Sequence, residues 1–298
     1  MPNVSSSVFD NAIAGSLAGA TTAVITCPLD VVKARMQVQI LQKGISPKYS
    51  GIIRSATLIA REEGFRGLYK GLSPTLMALS PSWAVYFTTY EWTKRRLREE
   101  YRYLDQHQKV VHLLASVFAG SVNAIALSPI WVVRTRLQLQ TSNKYKSVHD
   151  CIRKIYRHEG LRSFYAGLAP SFFGLIHVGV QFPVYEYFKE ELRRRRRRGI
   201  HDPLHHDSKL PIHEIIGASA LSKMIASMVA YPHEVLRTRM QHAGANSKSI
   251  GCLVSKMFRE EGLKSFYRGM SVNLVRVVPA AAITFTTFEL VMSILNPE

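Results

Sequence analysis

Six stretches of the chain, at about 11–29, 72–90, 111–133, 168–185, 213–232 and 271–288, stay apolar for the length a helix needs to cross a hydrocarbon core of roughly 30 Å. Each is diluted with Gly, Ala, Ser and Thr, and several carry Pro. That dilution suits helices packed closely on one another. A second periodicity lies between the first two stretches, where Gly51 to Glu63 places Ile52, Ile53, Ala56, Ile59 and Ala60 on one helical face. This is the pattern of an amphipathic helix lying in a membrane interface. The hydrophobic pattern therefore predicts an all-α membrane protein.

Composition narrows the class. The 298 residues are 47% hydrophobic, which excludes disorder, yet 39 Lys and Arg face 21 Asp and Glu for a net +18. Such an excess asks for polyanionic partners: nucleic acid, an anionic membrane surface or small anionic solutes. Its distribution discriminates. Segments 33–70, 134–165 and 237–268 together carry +17, whereas 91–110 and 186–210 carry +5. Positive charge on alternate connections is the positive-inside pattern of six spans with both termini on the less positive side. A nucleic-acid binder would gather its bases on one folded face, so none is expected. The arginine run Arg193 to Arg198, next to His205, His206 and Asp207, reads as a solvated juxtamembrane loop. Met1 to Asp10 lacks the charged start of a signal peptide. Cys27, Cys151 and Cys252 form neither a disulfide framework nor a zinc site. With no Gly-x-Ser-x-Gly, phosphate loop or metal-ligand spacing, no enzyme, cofactor or metal is expected.

The chain repeats itself. Pro28-Leu-Asp30-Val-Val-Lys33-Ala-Arg35-Met-Gln37 recurs as Pro129-Ile-Trp131-Val-Val-Arg134-Thr-Arg136-Leu-Gln138 and as Pro232-His-Glu234-Val-Leu-Arg237-Thr-Arg239-Met-Gln241. Downstream of each come an acid-Gly pair (Glu63-Gly64, Glu159-Gly160, Glu261-Gly262) and an aromatic-x-Gly element (Tyr69 and Gly71, Tyr165 and Gly167, Tyr267 and Gly269). An aromatic-acid pair then closes each unit: Tyr90-Glu91, Tyr185-Glu186 and Phe288-Glu289. Three units of about 100 residues, near 8–100, 108–198 and 211–296, form one domain.

These signatures resemble the mitochondrial carrier family over essentially the whole chain. The resemblance implies six tilted transmembrane helices in threefold pseudosymmetry, short helices on the matrix side, a central water-filled cavity and alternating access. It also implies a monomer in the mitochondrial inner membrane, with termini toward the intermembrane space. Near Gly71, Gly167 and Gly269, helix N-termini are expected to bind cardiolipin. At a matrix gate, Asp30 is expected to pair with Arg134 and Glu234 with Lys33, with Gln37, Gln138 and Gln241 as braces. Trp131 replaces the second acid of the family pattern, which leaves Arg237 without an ionic partner and suggests a cation-π contact between them. On the cytoplasmic side Glu91 with Lys94, Glu186 with Lys189, and Glu289 supply the second network, and Met292 stands where its third base is usual.

Lys223 and Arg276 are the bases inside the spans, and an intramembrane base marks a functional site. Two cations suit a substrate with phosphates. Gly174-Leu175, His177 and Trp83 are the further expected contacts, Trp83 as a stacking surface. The Pro-Ile-Trp form of the second signature resembles the subgroup carrying pyrimidine nucleotides, NAD, folate and FAD. Tyr231-Pro-His-Glu234 matches the pyrimidine nucleotide and NAD carriers, whereas Ser82-Trp83-Ala-Val-Tyr-Phe87 matches the NAD and folate carriers. His177-Val-Gly-Val-Gln-Phe-Pro183 and Pro279-Ala-Ala-Ala-Ile-Thr-Phe285 look like the NAD carriers' too. The resemblance thus implies NAD as substrate with AMP or ADP as counter-substrate; a pyrimidine nucleotide, folate or FAD is the alternative.

Overall fold

The computed structural model describes residues 4–40, 47–100, 108–142, 144–174, 176–199, 211–244 and 249–295. Among them the chain is helical, without strands. The membrane-length helices are α1 (Val4–Val38), α3 (Leu72–Glu100), α4 (Gln108–Leu139), α7 (Ile176–Gly199), α8 (Ile212–Ala243) and α10 (Met270–Leu295). Three short helices, α2 (Ile52–Glu63), α5 (Val148–Glu159) and α9 (Ile250–Glu261), recur once per repeat, and each is followed by a 3-10 turn. Pro28, Pro129 and Pro232 lie inside α1, α4 and α8 without ending them.

The fourth span departs from the expected continuous stretch. It divides into a short α6 (Leu168–Phe173) and α7, with the Gly174 carbonyl accepting from the His177 N–H at 3.1 Å. The arginine run is likewise not a loop, because the α7 backbone stays helical through Gly199. His205, His206 and Asp207 lie outside the described residues. Ile13–Val38, Val110–Leu139 and Leu263–Leu295 are long and apolar enough to cross a membrane by themselves. The other expected spans fall short of that apolarity among the described residues, as interleaved polar positions dictate.

Packing closes a ring. α1 touches α3 and α10, α4 touches α3 and α6, and α8 touches α7 and α10, while α1, α4 and α8 also meet pairwise at its centre. The short helices dock by one apolar face. Ile59 is buried in a cluster with Val31, Val32 and Val272, with Ile52, Ala56 and Ala60 packed against it. Ile53, expected on that face, is instead 80% exposed. Cys151 and Ile155 serve α5, and Met257 serves α9, in equivalent clusters.

The second base of each signature, an arginine in all three, fixes this docking. Arg35 forks onto Glu63, its Nη2 lying 2.9 Å from Oε2, and its Nε donates to the Gln138 carbonyl at 3.1 Å. Arg136 pairs with Glu159 at 2.6 Å and donates to the Gln241 carbonyl at 2.6 Å. Arg239 forks onto Glu261 at 2.5 and 3.0 Å and donates to the Gln37 carbonyl at 2.9 Å. Each arginine thus ties its own short helix to the last turn of the next repeat's helix, where carbonyls lack intrahelical partners. Sequence reading quoted these arginines and acids without joining them; their joint recurrence at fixed spacing was the available signal.

Burial alone would raise the Glu63 and Glu261 carboxyls, but hydrogen bonds from Arg35 and Lys70, and from Arg239 and Arg268, outweigh it and hold both below the usual carboxylate range. Their stabilisation is therefore present above the ordinary glutamate value of about 4.3 and is lost as pH falls through the depressed folded values. Glu261→Gln should cost about 3 kcal/mol at neutral pH, because it strands buried guanidiniums. Thermal unfolding followed from pH 7 downward should show a smaller acid loss in the variant than in the wild type; parallel curves would contradict the linkage.

Candidate functional site

The first base of each signature lies three residues after Asp30, Trp131 or Glu234 and on the same helical face, so α1, α4 and α8 present both positions toward the centre. Asp30 Oδ2 accepts from Arg134 Nη2 at 2.8 Å. Lys33 pairs with Glu234 and also donates to Asn273 Oδ1 of α10 at 2.8 Å. In the third position the Trp131 ring lies between Arg134 and Arg237, whose guanidinium carbons are 5.2 and 6.0 Å from its centroid. Among the described residues Arg237 has no ion pair. Arg276, expected at a substrate contact, joins the same cluster with Nη1 3.2 Å from Asp30 Oδ1. These charged groups and Trp131 line a cavity of about 210 Å³. Partly buried ion pairs gain little net energy, so such a closure can separate.

Beneath the pairs, the glutamines bond around the ring. Gln37 donates to the Tyr231 hydroxyl at 3.0 Å and accepts from Thr238 at 2.8 Å. Gln241 accepts from Thr135 at 2.7 Å. Gln138 is the exception, since its Nε2 is buried without a partner. By repeat register its neighbours on α1 are Cys27 and Ala34, where α8 offers Tyr231 and Thr238, so the side chains that would answer it are apolar.

Gly71, Gly167 and Gly269 have φ of 89°, 80° and 78°, which side chains rarely adopt. They also lie against the next repeat: a Cβ on Gly71 would sit 2.6 Å from Gln138 Cγ, and one on Gly167 2.9 Å from the Arg237 carbonyl. Close approach between repeats is a reason for glycine that the sequence reading did not supply.

The opposite end is arranged differently. Glu91 pairs with Lys94 at 3.0 Å and Glu186 with Lys189 at 3.4 Å, each within its own helix. Glu289 is exposed and has no ion pair among the described residues. Interhelical ion pairs thus hold the signature end, and only intrahelical ones occur at these positions.

Of the remaining expected contacts, Lys223 is exposed on α8 within electrostatic range of Arg276. Trp83 is 58% exposed and stacks on Phe87 with centroids 5.5 Å apart. His177 is half-buried near the start of α7. Gly174 lies against α8, where an added Cβ would meet His233 Nε2 at 2.8 Å. Leu175 lies outside the described residues.

A family model described as mitochondrial carrier protein matches residues 4–101, 105–196 and 208–298. The chain belongs to the mitochondrial carrier family. It is 41% identical over 288 residues to the mitochondrial nicotinamide adenine dinucleotide transporter 1 of Saccharomyces cerevisiae, across 93% of this chain and 75% of that protein. It is 41% identical over 302 residues to the chloroplastic nicotinamide adenine dinucleotide transporter 1 of Arabidopsis thaliana, across 97% and 93%. Identity to the mitochondrial nicotinamide adenine dinucleotide transporter 2 of the same plant is 40% over 294 residues, across 95% and 78%.

Restoring the carrier's missing brace is a direct check of the glutamine ring. Ala34→Thr should give Gln138 Oε1 the hydroxyl donor that the Gln241 and Gln37 oxygens already have, raising unfolding stability by about 1 kcal/mol. An unchanged or lower thermal transition would show that Gln138 is not the counterpart of the other two.

Proposed function

We propose that this carrier moves NAD across the mitochondrial inner membrane in exchange for AMP or ADP, by alternating access. The observation that carries the mechanism is the asymmetry between the two ends: ion pairs join repeats at the signature end, whereas among the described residues those of Glu91 and Glu186 at the opposite end stay within one helix. That is the arrangement of a cavity closed toward the matrix and open toward the intermembrane space. Asp30, Arg134, Lys33, Glu234, Trp131 and Arg237 then act as the matrix gate, with Gln37 and Gln241 as braces. In the other half of the cycle Lys94 and Lys189 exchange their intrahelical partners Glu91 and Glu186 for carboxylates of neighbouring repeats, Glu289 being the third acid of the network. The names of the relatives support NAD as the solute.

In this reading the substrate's pyrophosphate engages Lys223 and Arg276, its adenine the Gly174 region beside His177, and its second ring Trp83. Arg276 has a double part. It also holds Asp30 in the closed cluster, so substrate and gate meet on one side chain. Phosphate groups of cardiolipin meet the helix N-termini after Gly71, Gly167 and Gly269, where backbone N–H groups favour anions.

Radiolabelled NAD uptake into liposomes containing the purified protein tests the proposal, with AMP, ADP, UTP, folate or nothing inside. NAD should enter fast only against adenine nucleotides. Lys223→Ala and Arg276→Ala should each cut uptake at least about tenfold, the loss of one charge-assisted contact. UTP or folate exchange without NAD uptake would overturn the substrate assignment, and normal uptake by both variants would remove the site.

A further inference from the structure

The cavity at the signature end carries charge that its own residues do not balance. Lys33, Arg134, Arg237 and Arg276 line it against Asp30 and Glu234, which leaves two positive charges in excess. The unanswered hydrogen-bonding groups have the same sense. Arg134 Nε, Arg276 Nε and Gln138 Nε2 line or adjoin the cavity, are buried without a partner, and all are donors. The Gln138 residue is only 5% exposed. Repeats one and three each place a carboxylate at the position that Trp131 occupies in repeat two. Uncompensated guanidinium charge within a membrane span is costly, and arginine cannot shed it by losing a proton.

We propose that this cavity binds a phosphate-class anion. Seated among Arg134, Arg237, Arg276 and the Gln138 amide, it supplies the negative charge that Trp131 omits and completes the third bridge of the cluster. Its several acceptor oxygens suit donors converging from three helices, and guanidinium groups match it in bidentate geometry. The inference rests on the charge balance of the cluster and not on the choice of NAD as solute. Free inorganic phosphate and the phosphate of a nucleotide share the required chemistry, and the test separates them.

The thermal transition of the full-length purified protein is measured against inorganic phosphate, AMP and adenosine, with ionic strength held constant by methanesulfonate. Phosphate should raise the transition saturably, by about 3–5 °C at a hundredfold excess over its dissociation constant. Trp131→Glu, which brings its own carboxylate, should unfold at a higher temperature without phosphate and lose the response. Trp131→Phe adds no charge and should keep it. Should Trp131→Glu fail to fold, Arg237→Gln serves instead, with phosphate affinity at least tenfold weaker. A response to AMP but not to inorganic phosphate or adenosine supports the site and assigns the anion to the nucleotide. A wild type indifferent to both anions, or a response undiminished in Trp131→Glu, overturns it.

Discussion

The pairing of the arginine that is each signature's second base with the acid before its repeat's 3-10 turn is the interaction on which the rest depends. Arg35, Arg136 and Arg239 each bind a carboxylate of their own repeat and the terminal carbonyls of the next. Their charge is matched and their donors are used. This makes a closed collar in which three helix ends, three short helices and three turns are held in register. The layer nearer the cavity is built from the same signature one helical turn earlier, and it is incompletely matched. A satisfied collar beside an under-satisfied cluster gives the molecule a firm frame and a closure that costs little to open, as alternation between two states demands.

At the signature end, the departures from threefold symmetry fall in that second layer or close to it. Trp131 removes a carboxylate, Ala34 removes a hydroxyl, and Cys27 stands where Tyr231 answers a glutamine. The fourth span breaks beside Gly174, where α6 meets His233 of α8. Symmetric positions serve the frame, while asymmetric ones face the cavity, where an asymmetric solute would be read. Arg276 belongs to both, since the side chain proposed as a substrate contact also holds Asp30.

Much of this was legible because repetition multiplies weak signals. One such signature could be an ordinary helix-end motif, but its recurrence at equal spacing carried the resemblance to the family, and the ion pairs of Asp30 and Lys33 are those the resemblance implied. What escaped needed three dimensions. No local pattern shows that Gln138 faces Ala34, because that neighbour comes from another repeat. The break beside Gly174 shows in the sequence only as a shorter spacing, Gly167 to Glu186 falling one residue short of Gly71 to Glu91 and of Gly269 to Glu289. Ile53 falls within the apolar arc of α2 yet points away from the core, since helical period cannot tell a core-facing edge from a membrane-facing one. Arg193 to Arg198 looked like loop by charge, whereas arginine is a good helix former and α7 simply continues.

A charge exchange between Lys33 and Glu234, measured as a double-mutant cycle on nucleotide uptake and thermal stability, tests the closure most directly. Lys33→Glu and Glu234→Lys alone should each lower both, and the double reversal should recover most of the loss, because the pair is remade across the same two helices. Losses that simply add in the double variant would contradict a direct bridge between α1 and α8 and with it the gate built upon it.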